Sequence, residues 1–128
     1  MQLLLDTHPF IWFINGDNQL PERIKKIIAD PENECFLSIA SIWEIAIKTS
    51  LGKLELQSDF NKITDFLFDN DIEILPINFD HLQTLLKLEY YHRDPFDRVI
   101  ISQGIAENLT VLSKDAIFDK YLIKLIWK

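Results

Sequence analysis

Four short apolar runs separated by helical stretches constrain this chain more than any other feature. They are Gln2–Leu5, Cys35–Ser38, Ile72–Leu75 and Leu109–Leu112, each read as a strand. Between them the apolar residues recur at helical spacing. Thr7–Asn15 carries Phe10, Ile11, Phe13 and Ile14, with Gly16 as its stop. Pro21–Ala29 turns Ile24, Ile27 and Ile28 inward and leaves Arg23, Lys25 and Lys26 to solvent. A helix opened by Ser38 or Ser41 runs to Leu51 and ends at Gly52. Leu54–Leu56 reads as a short extended piece, Phe60–Phe68 and Phe79–Leu88 as helices, and Leu122–Trp127 as a last, edge strand. A helix runs from Pro95 to about Glu107, because proline suits the first helical position and Asp94 before it suits the cap. Strands alternating with helices give an α/β class: a largely parallel sheet of four to five strands with helices on both faces, in one domain over residues 1–128.

Functional sites in such sheets lie outside the carboxyl ends of the strands. Asp6 follows the first apolar run, and Asp115 follows Leu109–Leu112 after only Ser113 and Lys114. Asp97 reaches the same edge from the first turn of the helix opened by Pro95. Each has an ordinary structural use as a cap or as a charge facing a helix dipole. Glu44 is less easily explained. Ser41, Glu44 and Lys48 make one narrow polar stripe on a helix otherwise rich in Ile, Ala and Trp, so the stripe faces a partner, a cleft or water. A plain pairing of Glu44 with Lys48 one turn on is the alternative, worth only about 0.2–0.5 kcal/mol.

If Asp6, Glu44, Asp97 and Asp115 converge, their repulsion calls for protons or a cation. Carboxylates favour hard divalent ions, Mg²⁺ or Mn²⁺, and a set without a Cys or His cluster disfavours zinc. Such an ion can activate water and hold a phosphodiester oxygen. Thr7 is placed to add a hydroxyl to the ion's water shell. Arg93, Arg98, Lys48 and Lys114 are the candidate phosphate-gripping cations, although each also reads as an ordinary surface charge.

Composition bounds this reading. The net charge of −7 opposes non-specific nucleic-acid binding by bulk charge and leaves only a local basic rim for it. Cys35 is the single cysteine, so an intrachain disulfide framework is excluded, and the pattern fits a reducing, cytoplasmic setting. The N-terminal stretch lacks a basic region and carries Asp6 and Pro9 within its apolar part, unlike a signal peptide, and no apolar run approaches the ~20 residues of a membrane helix.

Four segments in order, LLLDTH, SIASIWEIAIK, HRDPFDRVIISQ and LTVLSKD, resemble PIN-domain nucleases, most of all the VapC-type toxins of toxin–antitoxin pairs. The resemblance spans nearly the whole chain. It implies a PIN-like three-layer α/β/α domain and a metal-dependent endoribonuclease. It further implies a cognate antitoxin that blocks the site, and homodimerisation. The family's four acids fall on Asp6, Glu44, Asp97 and Asp115. Asp94 belongs to the RDPFD subgroup as a supporting acid or a cap, which leaves open whether Asp94 or Asp97 meets the metal. Ser113 takes the place of the family's small hydroxyl residue beside the fourth acid. Two rival readings remain. One is a non-catalytic PIN-fold interaction module using Phe10, Trp12, Phe13 and Trp43. The other is a phospho-receiver with Asp6 as nucleophile, disfavoured because Ile72–Leu75 offers no acid at its end.

Overall fold

The computed structural model describes residues 1–127. Five strands form one sheet in the order β3-β2-β1-β4-β5: β1 (Gln2–Leu5), β2 (Glu34–Ser38), β3 (Ile72–Leu75), β4 (Thr110–Leu112) and β5 (Lys124–Ile126). Every neighbouring pair is parallel, with Leu3 opposite Cys35 on one side and Thr110 on the other. The helices are α1 (Thr7–Asn15), α2 (Glu22–Ala29), α3 (Ile39–Ser50), α4 (Ile63–Asp69), α5 (Phe79–Lys87) and α6 (Pro95–Ala106). Short 3-10 helices cover Phe60–Lys62 and Ala116–Lys120.

Strand alternation divides the core into two layers. Leu3 and Leu5 of β1, with Leu37 and Leu112, pack under α1 to α4 against Phe10, Ile24, Ile45 and Ile63. Leu4 and Val111 face the other way, against Ile100 and Ile101 of α6, Phe118 and Tyr121. Burying every β1 side chain from Leu3 to Leu5 on both faces is what its unbroken run of leucines encodes. The sheet is therefore sandwiched between helical layers, as expected for a three-layer α/β/α architecture.

Local signals set most of the boundaries. Gly16 ends α1 in the left-handed region at φ 62°. Ser38, rather than Ser41, caps α3, accepting the Ala40 N–H at 3.0 Å. Asp94 caps α6 with proline following, as the sequence indicates. Two expectations change. Leu54–Leu56 forms no strand: Leu54 and Leu56 pack onto the first core layer from a loop. The last strand contracts to Lys124–Ile126, because Tyr121 and Ile123 are drawn into the second core layer before the edge pairing with β4 begins.

Among the described residues no helix is long and apolar enough to cross a membrane.

Candidate metal centre

The strand order reverses beside β1: the chain builds outward through β2 and β3, then returns to place β4 on β1's other edge. The carboxyl ends of β1 and β4 thus lie side by side, and a crevice at such a point is where α/β sheets bind ligands. Asp6 and Asp115 leave those two strand ends. A cleft of about 340 Å³ there is lined by Asp6, His8, Pro9, Trp12, Asp97, Lys114 and Asp115.

Asp6 is nearly inaccessible at 5% exposure. One carboxylate oxygen accepts the Thr7 N–H at 2.8 Å and the other accepts the Ser113 hydroxyl at 2.7 Å. Ser113 in turn accepts the Asp115 N–H at 3.1 Å, so one hydroxyl ties the ends of β1 and β4 together. Burial raises the Asp6 carboxyl above its ordinary value; the hydrogen bond from Ser113 opposes that rise, and the charge of Glu44 adds to it.

Asp97 lies in the first turn of α6, where Asp94 Oδ1 accepts the N–H groups of Phe96 (2.8 Å) and Asp97 (3.4 Å). The two acids of the RDPFD segment are therefore separated by geometry: Asp94 closes the helix end, and Asp97 lines the cleft. The Asp97 carboxyl is pushed up to about 8. Burial is the main cause, followed by the nearby charges of Asp6, Asp94, Glu44 and Asp115.

Glu44 is buried on α3 while its apolar neighbours Ile39, Trp43 and Ile47 are exposed. The helix is inside-out along that stripe, an arrangement that packing alone does not produce. Glu44 Oε2 accepts Lys48 Nζ at 2.7 Å; that hydrogen bond is the chief reason the Lys48 ammonium is held above its ordinary pKa. Glu44 Oε1 is buried without a hydrogen-bond partner among the described residues, a costly state for a polar atom out of water. The Thr7 hydroxyl donates to Ser41 Oγ at 2.9 Å and links α1 to α3, so its proton is committed to that contact.

The donor set fits a hard divalent cation. It offers several carboxylates, two of them held above their ordinary pKa by burial, and one unpartnered oxygen.

Of the candidate phosphate-gripping cations, Lys114 lines the cleft, Arg93 is exposed beside Asp94, and Lys48 is held by Glu44. Arg98 is a correction. Its guanidinium is buried and donates to the carbonyls of Leu85, Leu88, Glu89 and His92, with the Tyr90 ring 3.9 Å away. Those carbonyls lie at the end of α5 and in the loop beyond it, where they lack helical donors, so Arg98 organises the segment joining α5 to α6.

His92, to which residue type alone gives no role, also stands at the site. Its Nε2 lies 2.8 Å from Asp115 Oδ2 and 3.1 Å from Asp97 Oδ2, making a three-residue group of possible ligands. One histidine thus stands beside the expected carboxylates. The available signal was its place two residues before a capping aspartate.

The sequence matches the PIN domain family over residues 3–123. No curated protein matches it. Among solved structures, the fold is similar to VapBC2 from Rickettsia felis, solved bound to a DNA fragment from their promoter (19% identity, 98% of each chain, TM-score 0.74). It is also similar to VapBC-1 from nontypeable Haemophilus influenzae (15% identity, 98% of this chain and 97% of that one, TM-score 0.74). FitAcB from Neisseria gonorrhoeae gives 19% identity, coverage of 96% and 95%, and a TM-score of 0.68.

Proposed function

The chain belongs to the PIN domain family, and from that premise we propose that it is a Mg²⁺- or Mn²⁺-dependent endoribonuclease, the toxin of a toxin–antitoxin pair. The observation that carries the reading is Glu44. A buried carboxylate whose second oxygen stays unpartnered even with Lys48 on the first, on a helix whose exposed face is apolar, has a ligand rationale that the pair with Lys48 alone does not supply.

Asp6, Glu44, Asp97 and Asp115 are the residues that would hold the cation. When bound, the ion supplies Lewis-acid chemistry toward a phosphodiester and an attacking water. The chain's own residues do the rest. Ser113 and the Thr7 N–H fix both oxygens of Asp6. Asp94 satisfies the start of α6 and leaves Asp97 free of capping duty. Lys48 takes one oxygen of Glu44 and leaves the other unpartnered. Lys114 in the cleft lining, with exposed Arg93 as a further candidate, would supply the local positive charge that an RNA backbone needs against a net charge of −7.

The partner reading rests on the likeness to VapBC and FitAcB assemblies and on one surface feature. Ile39, Trp43, Ile47 and Leu51 form an exposed stripe at four-residue spacing along α3 and the turn after it, of the kind that protein partners cover. An antitoxin and a second copy of the chain are the partners proposed. Of the four aromatics the non-catalytic alternative would use, only Trp43 lies in this stripe; Phe10 is fully buried in the first core layer with Trp12 and Phe13 packed against it, and that alternative leaves Glu44 without a role.

The test is cleavage of an RNA panel by purified, antitoxin-free protein in Mn²⁺, in Mg²⁺ and in EDTA. Cutting that requires the metal is the expected result. Folded protein that neither cuts RNA nor is thermally protected by either ion would leave the interaction module as the better reading.

A further inference from the structure

We infer that His92 is a positioning residue, whose Nε2–H clamps the carboxylates of Asp97 and Asp115 in the arrangement that receives a cation, without ligating the cation itself. The inference rests on the proposal that these acids hold a divalent metal, and it adds a residue to that site which the acidic set does not contain.

His92 is held from several sides. Its backbone N–H donates to the Tyr121 hydroxyl at 2.8 Å, and that hydroxyl donates to the Glu89 carbonyl at 2.6 Å. Its own carbonyl accepts Arg98 Nη1 at 3.2 Å. The imidazole packs edge-on against Phe118, with ring centroids 5.6 Å apart at 79°. Few rotamers survive such an enclosure, so the direction of Nε2 is fixed by the fold.

The tautomer follows from the other nitrogen. Nδ1 faces the backbone N–H of Asp94 at 3.3 Å and must present a lone pair to it. A neutral imidazole with its lone pair on Nδ1 carries its proton on Nε2. Nε2 therefore meets Asp115 Oδ2 (2.8 Å) and Asp97 Oδ2 (3.1 Å) as a shared donor. A nitrogen that carries a proton has no lone pair for a metal, so the ligand set stays all-oxygen. Without that N–H, nothing that the two carboxyl groups share would hold their Oδ2 atoms to one point. Holding them in place before the ion arrives removes part of the ordering cost of binding, and loss of an outer hydrogen-bond partner of this sort typically weakens metal affinity about 10–100-fold.

The same segment also connects the clamp to the fold. Arg98 gathers the carbonyls of the loop between α5 and α6, and Asp94 both caps α6 and sets the His92 tautomer. The HRDPFDR segment thus reads as one device: a ligand, Asp97, together with the residues that orient it.

The experiment is Mn²⁺ titration of the full chain, followed by calorimetry and thermal shift, for wild type, His92→Gln and His92→Phe. The glutamine keeps an N–H donor near the Nε2 position, and phenylalanine keeps the packing on Phe118 without the donor. Wild type and His92→Gln should bind alike within about threefold, and His92→Phe about 10–100-fold more weakly. Spin-echo spectra of bound Mn²⁺ in wild type should lack the signature of a directly coordinated nitrogen. Equal binding by His92→Phe, weakening in His92→Gln to the level of His92→Phe, or a coordinated-nitrogen signal would each overturn the inference while leaving the metal site standing. Failure of wild type to bind Mn²⁺ at all would remove the site, and the inference with it.

Discussion

The sheet carries an acidic cleft at each end, and the two behave differently. At the amino ends of β2 and β3, a cleft of about 310 Å³ is lined by Asp30, Glu34, Asp71 and Glu73 among others. At the carboxyl ends of β1 and β4, the cleft of about 340 Å³ gathers Asp6, Asp97 and Asp115. The sizes are similar, and the first cleft has four acids to the second's three with Lys114. The four acids of the first cleft are all exposed, and Asp30 is occupied in a local turn, accepting the Glu32 N–H at 2.9 Å. In the second, Asp6 and nearby Glu44 are buried and the Asp97 carboxyl is pushed up to about 8. Charge at a strand end is cheap when water screens it. Convergence out of water has a cost, and a fold that keeps it has a use for the charge.

The largest expected difference between the ends is in activity. Asp97→Asn should lower metal-dependent RNA cleavage by at least about 10²–10³-fold, the size of effect seen when one transition-state electrostatic partner is removed. Glu73→Gln should leave the rate within about twofold, as measured by single-turnover cleavage. Comparable losses in both variants would erase the contrast between the two clefts.

Next in size is the response of stability to pH. The Asp97 pKa rises from 3.8 to about 8 on folding, so between those values the native state binds more protons than the unfolded chain. Metal-free protein should therefore lose stability as pH rises from about 4 to 8, by on the order of 1 kcal/mol or more, a few degrees in Tm. Millimolar Mn²⁺ should flatten or invert that slope, since the cation binds the deprotonated carboxylates of the folded state. A Tm that is independent of both pH and Mn²⁺ would contradict the burial of charge described above. Asp97→Asn should also make the metal-free protein at pH 8 as stable as wild type or more so, because it removes a repelled charge.

The smallest effect belongs to the amino-end cleft. Glu34→Gln and Glu73→Gln should each change unfolding free energy by no more than about 0.5 kcal/mol in denaturant titration, as surface substitutions do. A larger change would show that this cleft, too, holds its acids under strain.

The residues by themselves determined the elements and their class. Apolar runs, proline at the first turn of α6, Gly16 after α1 and the caps at Ser38 and Asp94 are local signals, and local structure obeys them. They also placed acids at strand and helix ends. Tertiary structure decided which of those ends meet. Strand order is non-local: nothing within Leu109–Leu112 says that it pairs with β1, yet that pairing brings Asp115 to Asp6 through Ser113. It also decided direction. A glutamate on an apolar helix can face either way, and only the packing of α3 against α1 and α6 turns Glu44 inward and leaves Trp43 outside. Arg98 and His92 stand in one short segment, and residue type alone suggests the arginine for the phosphate and nothing for the histidine. The fold assigns them the reverse, because the loop after α5 ends in carbonyls that need a buried cation and the imidazole is the group aimed at the acids.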